Sequence, residues 1–363
     1  MIAQRKDDHV RLAVEQQQQH DGRNQFDEVS FVHHALAGLD RTDVSLTTAF
    51  GGISWQVPLY INAMTGGSER TGAINRDLAV AAHETGVPIA SGSMSAYFKD
   101  PDCADTFSVL RKENPDGFVI ANVNATTSVD NALRAVDLIQ ADALQIHVNT
   151  VQETVMPEGD RSFSSWVPQI ERIAAGAGVP VIVKEVGFGL SRETVRLLAG
   201  LGVRVADLGG RGGTDFARIE NGRRELADYA YLTGWGQSTA ACLLDAQDAP
   251  IPVLASGGVR QPLDVARALA LGASGVGVSG TFLRTLLDGG VAALIAQIST
   301  WLDQLAALLT VLGARTPAAL RHSDLLIHGE LRDFCADRGI DIRSLARRSG
   351  SLDVPHETTG NTR

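Results

Sequence analysis

Eight short apolar segments, separated by helix-like stretches, constrain the fold of this 363-residue chain more than any other feature. They occupy residues 57–65, 88–94, 117–125, 143–149, 180–187, 204–210, 252–258 and 275–280. Most are continuous rather than alternating apolar runs, which is the pattern of parallel strands buried on both faces. The stretches between them carry helix signals, such as a serine N-cap at Ser191 and a terminal glycine at Gly272. The chain is therefore predicted to alternate strands and helices.

Two folds are built from such units, the (β/α)₈ barrel and the open doubly wound sheet. Nearly all of the strands end in glycine or a polar residue: Thr65, Ser93, Asn122, Asn149, Lys184, Gly209, Gly257 and Gly280. In a barrel these ends converge on one face, whereas an open sheet uses only its switch point. We therefore predict an α/β fold, a (β/α)₈ TIM barrel with an N-terminal segment and a C-terminal helical extension. Residues 1–346 are predicted to form one domain, and residues 347–363 a disordered tail.

Composition excludes several classes of function. A formal net charge of -10 makes the chain a poor candidate for nucleic-acid binding. Its three cysteines, without a CxxC pair, argue against a disulfide framework or a zinc site and favour a cytoplasmic location. The N-terminus lacks the apolar core of a signal peptide. The apolar stretch 291–312 is interrupted by Gln297, Asp303 and Gln304, so it predicts an amphipathic helix rather than a membrane span.

The segment ALQIHVNTVQE, residues 143–153, is unusually polar for the end of a buried strand. His147 and Asn149 share one strand face, and Gln152 and Glu153 follow in the loop. Such a group is costly to bury unless it binds something polar, although a lone histidine would more often be an ordinary core residue. Glu153 could be a metal ligand, and a single carboxylate suits Mg²⁺, which keeps its waters and shares substrate phosphates.

Three glycine-rich stretches, GGRGGT (209–214), SGG (256–258) and SG (279–280), follow the late strands. Glycine lets backbone N–H groups approach a phosphate, and late strands are the usual phosphate site of these barrels, so we favour phosphate binding over simple tight turns. The match of GVGVSG (275–280) to GxGxxG is rejected as a dinucleotide motif. The motif must follow a strand and open a helix, whereas here the match is itself the strand.

Isolated cations occur at two further places. Lys184 ends a very apolar strand, where it could form a Schiff base or lie against an anionic cofactor. An ion pair with Glu185 is disfavoured, because consecutive strand residues point to opposite faces. Near the N-terminus, Arg5, Lys6 and His9 lie within about one helical turn. They are either a solvated charged end or, if the ligand carries phosphate, part of its site; the QQQQ run at 16–19 is interpreted as a solvated helix face.

Taken together, RKDDH, INAMTGG, SGSM, ANVNA, LQIHVNTVQETVMPEGDRSF, VPVIVKEVGFGLS, GGRGGTDFARIE, GWGQSTA, ASGGV and LGASGVGVSG resemble one family. It is that of the flavin-dependent type 2 isopentenyl diphosphate isomerases, and the likeness runs from about residue 4 to about residue 340. The resemblance implies a TIM barrel that binds FMN and interconverts isopentenyl and dimethylallyl diphosphate in isoprenoid biosynthesis. It also implies reduced FMN and Mg²⁺ in the reaction, NADPH as reductant, and a homo-oligomer, a tetramer or octamer.

The resemblance also implies a role for individual residues. FMN would be bound by Ala63, Met64, Thr65, Ser93, Asn122, Lys184, Thr214, Gly257, Gly258, Ser279 and Gly280. The substrate would be bound by Arg5, Lys6, His9, His147, Asn149 and Gln152, and Mg²⁺ by Glu153. Lys184 would stabilise the anionic reduced flavin, which we hypothesise is the main acid/base, while Gln152 and Glu220 assist at the other carbon.

Two departures from the family pattern and two rival functions accompany this prediction. Ser95 stands where many members have an arginine that binds diphosphate, and Phe216 stands where some have tryptophan. The rivals are a flavin oxidoreductase on the same barrel, such as a 2-hydroxy-acid oxidase, and a flavin-binding redox sensor without turnover. The first needs a strong histidine base with carboxylate-binding arginines, a set that does not stand out. The second would not need so many polar groups at the strand ends.

Overall fold

A closed barrel of eight parallel strands forms the centre of the computed structural model, which describes residues 10–12, 16 and 24–349. The strands are β1 Leu59–Ile61, β2 Ile89–Ala90, β3 Val119–Asn124, β4 Ala143–Val148, β5 Val181–Glu185, β6 Val205–Asp207, β7 Val253–Ser256 and β8 Gly275–Val278. Each pairs with its neighbours in chain order, and β8 closes the ring on β1 with Val276 opposite Leu59. The predicted TIM barrel is confirmed, and the open sheet is wrong.

Eight helices surround the barrel in the described part of the chain. They are α1 Glu69–Thr85, α2 Asp105–Glu113, α3 Val129–Leu138, α4 Trp166–Gly176, α5 Arg192–Gly200, α6 Thr239–Asp245, α7 Pro262–Ala270 and α8 Gly280–Val311. Four of them begin after a serine whose hydroxyl accepts a backbone N–H of the first turn: Ser68, Ser128, Ser191 and Ser238. Such caps satisfy N–H groups that have no partner within the helix, so these residues fix where the helices start.

Three short helices lie in loops that leave the C-terminal ends of β2, β4 and β6. They are Ser95–Lys99, Thr150–Val155 and Phe216–Gly222. The remaining short elements are the 3₁₀ turns Gln25–Glu28, Arg41–Asp43, Pro101–Cys103, Ala230–Leu232 and Pro317–His322. In barrels of this type the C-terminal face carries the functional groups. The three inserted helices therefore mark where the site is built.

The opposite end of the barrel is filled by a hairpin from the N-terminal segment, Thr48–Phe50 paired with Ile53–Trp55. The Trp55 ring is 2% exposed and lies 5.2 Å from the ring of Tyr60 and 5.8 Å from that of Phe118, between ring centroids. A Cβ on Gly275 would approach the Trp55 ring to 2.7 Å, so glycine at this position of β8 makes room for the indole. The apolar plug leaves the C-terminal face as the entrance for a ligand.

The C-terminal extension pairs with a strand of the segment that precedes the barrel. Strand Val29–Phe31 pairs antiparallel with Leu325–Ile327, and helices Gly329–Asp337 and Ile342–Leu345 follow. Arg338, directly after the first of these helices, donates to Asp245 at the end of α6 (2.9 Å) and to Glu193 of α5 (2.8 Å). The predicted extension is confirmed. Of the predicted tail, 347–349 continue the described chain and 350–363 lie outside the described residues.

Helix α8 is long and apolar enough to cross a membrane by length and composition alone. Its backbone is broken at Gly290, where φ is +75°. It buries Phe282, Leu294 and Trp301, and packs against α1 and α7 of the same barrel. Those contacts are the ones a barrel helix makes, as predicted for the stretch 291–312.

Candidate active site

Asp207 ties together the upper interior of the barrel. Its carboxylate accepts hydrogen bonds from the Tyr60 hydroxyl (2.5 Å), Asn62 Nδ2 (3.1 Å) and Ser256 Oγ (2.7 Å), all of them buried. Burial, together with the neighbouring Asp207 carboxylate, raises the pKa of Tyr60 well above its usual range, so the phenol stays protonated and donates. This layer joins strands β1, β6 and β7 directly beneath the strand ends that carry the site.

A cleft of about 1060 Å³, solvent at its mouth included, opens above this layer. We call it the glycine cleft, because glycines from the loops after β5, β6, β7 and β8 line it. Seven residues predicted to bind the cofactor contact it along with Lys184: Ala63, Met64, Thr214, Gly257, Gly258, Ser279 and Gly280. Gly257 has φ +96°, and a Cβ there would lie 2.0 Å from the carbonyl oxygen of Gly210. Backbone N–H groups presented this closely are suited to a phosphate.

The three other predicted cofactor residues lie differently. Thr65 is 2% exposed, and its Oγ1 has no hydrogen-bond partner among the described residues. Thr65 lines neither cleft, whereas the glycine cradle fits the phosphate of a bound cofactor such as FMN. Ser93 and Asn122 line the neighbouring cleft instead.

The second cleft, here the polar cleft, lies above β2, β3 and β4 and contains the three predicted substrate ligands that the structure describes. It is lined by His147, Asn149, Gln152 and Glu153, and it shares Ala63, Met64, Lys184, Val186 and Phe216 with the glycine cleft. The two clefts therefore meet along one wall. Phe216 is an aromatic member of that shared wall.

Lys184 is buried at the junction of the two clefts. It is 9% exposed, and its Nζ donates to the backbone carbonyl of Glu185 (2.8 Å). The Glu185 carboxylate instead accepts the backbone N–H groups of Gly187 (2.7 Å), Phe188 (2.5 Å) and Gly189 (3.0 Å). Burial raises the pKa of Glu185 although these donors oppose it. The side chains of Lys184 and Glu185 thus have different partners, as predicted from their opposite strand faces.

His147 is oriented by a chain of amides within the barrel. Its Nδ1 lies 2.7 Å from Asn122 Oδ1, and Asn122 Nδ2 donates to Gln145 Oε1 at 2.7 Å. Since the Asn122 oxygen can only accept, Nδ1 of His147 is the donor. Asn122, predicted to bind the cofactor, is therefore engaged in holding a predicted substrate ligand.

Gln152 and Glu220 form a hydrogen-bonded pair although 68 residues separate them. Gln152 Nε2 donates to Glu220 Oε1 at 2.9 Å, and Asn149 Nδ2 donates to Gln152 Oε1 at 3.2 Å. Glu220 is 0% exposed, and its other oxygen pairs with Arg223, which also binds Glu158 at 2.8 Å. Burial lowers the pKa of Arg223, but the hydrogen bonds to Glu158 and Glu220 outweigh it and raise that pKa. Arg223 and Glu158 are site residues that the sequence prediction missed.

Glu153 is held by the loop that follows it. Its carboxylate accepts from Asn149 Nδ2 (3.0 Å) and from the backbone N–H of Asp160 (2.8 Å). The guanidinium of Arg161 donates to the carbonyl oxygens of Met156 (2.9 Å) and Gly159 (2.8 Å), and to that of Glu153. The MPEGDRSF loop therefore caps the helix that carries Gln152 and Glu153. No group of three or more His, Cys, Asp or Glu able to hold a metal occurs among the described residues.

The start of the described chain packs on the site of its own barrel. Val10 lines the glycine cleft, and Asn24 Nδ2 donates to the carbonyl of Gly258 (2.5 Å). The Gln16 amide makes two hydrogen bonds to the backbone of Asp215, at 3.0 and 2.9 Å. The prediction of a solvated face is therefore wrong for Gln16, because these backbone groups need a partner. Arg5, Lys6 and His9 lie outside the described residues.

Comparison with known proteins adds family information to this geometry. Residues 105–327 match the family model of FMN-dependent dehydrogenases. Over 361 residues the chain is 76% identical to the isopentenyl-diphosphate delta-isomerase of Streptomyces sp. (strain CL190), covering 99% of each chain. It is 47% identical over 340 residues to the enzyme of that name from Latilactobacillus sakei subsp. sakei (strain 23K), covering 93% of this chain and 97% of the relative.

Solved structures show the fold alone. A flavocytochrome b2 variant with benzoylformate superposes with a TM-score of 0.62 at 20% identity, covering 92% of this chain and 81% of the other. A mandelate oxidase variant with 2-hydroxy-phenylacetamide gives a TM-score of 0.58 at 18% identity, with coverages of 89% and 91%.

Proposed function

The chain belongs to the family of FMN-dependent (type 2) isopentenyl-diphosphate delta-isomerases and is an enzyme that binds FMN, and we propose that it interconverts isopentenyl and dimethylallyl diphosphate. We assign to the reaction reduced FMN, Mg²⁺, and NADPH as reductant. One observation supports this above the others. The glycine cleft and the polar cleft share a wall at Lys184, so a cofactor in one and a small diphosphate in the other would both lie beside this ammonium.

The reaction moves a double bond by adding a proton at one carbon and removing one from another, which passes through a tertiary carbocation. When bound, reduced FMN would supply the proton that is added to the alkene and an electron-rich surface that stabilises this charge. Met64 and Phe216 in the shared wall exclude water from the carbocation. Lys184 stabilises negative charge at the junction of the clefts.

Gln152 and Glu220 act at the other carbon. The Glu220 carboxylate accepts a hydrogen bond from the Gln152 amide nitrogen, and this bond fixes the orientation of the amide. An amide cannot serve as a strong base, so Gln152 orients the alkene or a water, and the buried carboxylate of Glu220 holds the proton. Arg223 keeps that carboxylate in place.

The diphosphate is anchored in the polar cleft by His147 and Asn149, with Glu153 as the protein ligand of Mg²⁺. Arg5, Lys6 and His9 complete the set of cations. Binding energy from the diphosphate positions the unactivated alkene, which offers no polar group of its own.

The test is anaerobic incubation of NADPH-reduced enzyme with isopentenyl diphosphate and Mg²⁺, with dimethylallyl diphosphate quantified by NMR. We expect the wild type to form product without net oxidation of the flavin. Lys184→Ala should lose activity, and the exposed control Lys112→Ala should keep the activity of the wild type. An absence of product from the reduced wild type would refute the isomerase, and full activity of Lys184→Ala would refute the role of Lys184. Bleaching of the oxidised flavin by a 2-hydroxy acid would instead favour the rival function, a flavin oxidoreductase. The similar solved structures support that rival only through the shared fold.

We also propose a cytoplasmic homo-oligomer, a tetramer or octamer. The chain's three cysteines, without a CxxC pair, support a reducing compartment, and the family resemblance supports the assembly. Light scattering on the eluting protein would measure the mass, and a monomer at micromolar concentration would contradict the assembly.

A further inference from the structure

The polar cleft has an unusual balance of charge for a site that receives a diphosphate. Among the described residues that line it, Glu153, Glu158 and Asp160 carry carboxylates, and Lys99 and Lys184 carry ammonium groups. Lys184 is buried at the wall shared with the glycine cleft. The outer part of the cleft therefore has one described lysine or arginine, Lys99, facing an anionic ligand.

The short helix at the edge of the polar cleft begins at Ser95, which carries no charge. The Ser95 hydroxyl lies 2.9 Å from that of Ser93, so the position offers hydrogen bonds and no charge. Ser95 is the first and Lys99 the last residue of one short helix, and both line the polar cleft. Residues four apart lie on the same helix face, with Cβ atoms about 5–6 Å apart. The Lys99 ammonium can thus reach the region of the cleft that an arginine at position 95 would reach.

The backbone of Lys99 is fixed while its side chain keeps its freedom. The helix closes with the Asp100 N–H bound to the Ala96 carbonyl (2.8 Å), and Ala96 is 4% exposed. On the helix side, Arg134 lies 5.1 Å above the Tyr97 ring. Within the part of the chain that the structure describes, no hydrogen bond or ion pair engages the exposed Lys99 ammonium. Its charge is available to a ligand at the mouth of the cleft.

We propose that Lys99 is a substrate-binding residue that contacts the diphosphate of the substrate. This inference rests on the proposed function and names one of its ligands. The contact is a charge-assisted hydrogen bond from a flexible ammonium, which binds phosphate as a point charge rather than in a bidentate manner. Lys99 binds and does not take part in proton transfer.

The test compares Lys99→Met, Lys99→Arg and the double variant Ser95→Arg/Lys99→Met with Lys112→Met, the matched control. Lys112 is exposed on α2 and lines neither cleft, and the chain has only four lysines, so each substitution is isolated. In Lys99→Met we expect a roughly tenfold higher KM for isopentenyl diphosphate, equivalent to about 1.4 kcal/mol. We expect kcat within twofold of wild type and unchanged FMN affinity. In Lys99→Arg and in the double variant, KM should return most of the way to the wild-type value.

A KM of Lys99→Met within twofold of wild type would overturn the proposal, and so would a parallel loss of FMN affinity, which would indicate a structural role. Calorimetric binding of inorganic diphosphate with Mg²⁺ to the FMN-loaded protein separates this inference from the function as a whole. If the wild type lacks isomerase turnover, the proposed function fails while the diphosphate measurement still decides on Lys99. Equal diphosphate affinities of wild type and Lys99→Met would refute the contact in either case.

Discussion

Replacing Arg223 by methionine would leave the Glu220 carboxylate buried without its cationic partner. Glu220 is 0% exposed, and the Arg223 side chain is 20% exposed. Removing one partner of a buried ion pair costs about 3–5 kcal/mol. Because Arg223 keeps some solvent contact and Gln152 still donates to Glu220, we expect the free energy of unfolding to fall by about 2–4 kcal/mol.

Glu158 provides the internal comparison. Its side chain is 45% exposed, so its pair with Arg223 is screened by solvent, and Glu158→Gln should cost less than about 1 kcal/mol. The decisive measurement is a double-mutant cycle between Glu220→Gln and Arg223→Met, with urea unfolding followed by circular dichroism at saturating FMN. We expect the double variant to be more stable than the sum of the single losses implies, by about 2 kcal/mol.

The activity of the same variants tests the site. Arg223→Met should lower kcat and change KM less, because Glu220 and Gln152 act on the alkene and the residues that bind the diphosphate are untouched. Additive losses in the cycle, or a loss in Arg223→Met no larger than in Glu158→Gln, would refute the reasoning. The ion pair with Arg223 would then contribute little to holding Glu220 in place.

Three further predictions concern the cofactor cradle, the metal and the N-terminal segment. Gly257→Ala should weaken FMN binding at least tenfold, measured by flavin fluorescence, because its Cβ would lie 2.0 Å from the Gly210 carbonyl; Gly200→Ala, with nothing within 4 Å, is the control, and equal affinities would contradict the cradle. Arg161→Met should raise the Mg²⁺ concentration needed for half-maximal activity, because the loop that positions Glu153 loses its carbonyl contacts; an unchanged Mg²⁺ titration would disprove this role. The hydrogen bond from Arg260 holds the pKa of Asp27 below its ordinary value of 3.8, so this pair stabilises the fold above that pH and loses its effect as the pH falls through the lowered pKa. Asp27 is 48% exposed, so the melting temperatures of wild type and Asp27→Asn should differ only slightly at pH 7 and converge toward pH 2, and a difference that persists would exclude the linkage.

The barrel could be predicted from the sequence because buried parallel strands have a distinctive apolar pattern. Even β2, which has only two paired residues, lies inside the predicted segment 88–94. The roles of the site residues are not tested by the fold. The structure nevertheless brings the described ones to the C-terminal face, in or beside two adjoining clefts.

The pairings within the site could not be predicted in the same way. Gln152 and Glu220 meet only because two short helices from different loops pack together, and no local pattern reports such packing. Arg223 had a detectable signal, since a cation three residues after a helical carboxylate lies on the same face. Glu158 had none, because its contact depends on the path of an irregular loop. The Trp55 plug was also missed, since its hairpin is outside the strand–helix repeat.

Two residues that precede the barrel have contacts with its last two strands or the loops that follow them. Asn24 binds a carbonyl 234 residues later, and Trp55 packs against Gly275. Contacts so distant in sequence form late, because the intervening chain must first be made and ordered. During synthesis, Asn24 and Trp55 would complete these contacts only after β7 and β8 are made, while the earlier strands are already available to collapse. Completion of the barrel and closure of its lower end would then be a single late event, and the cofactor cradle would be among the last parts of the enzyme to mature.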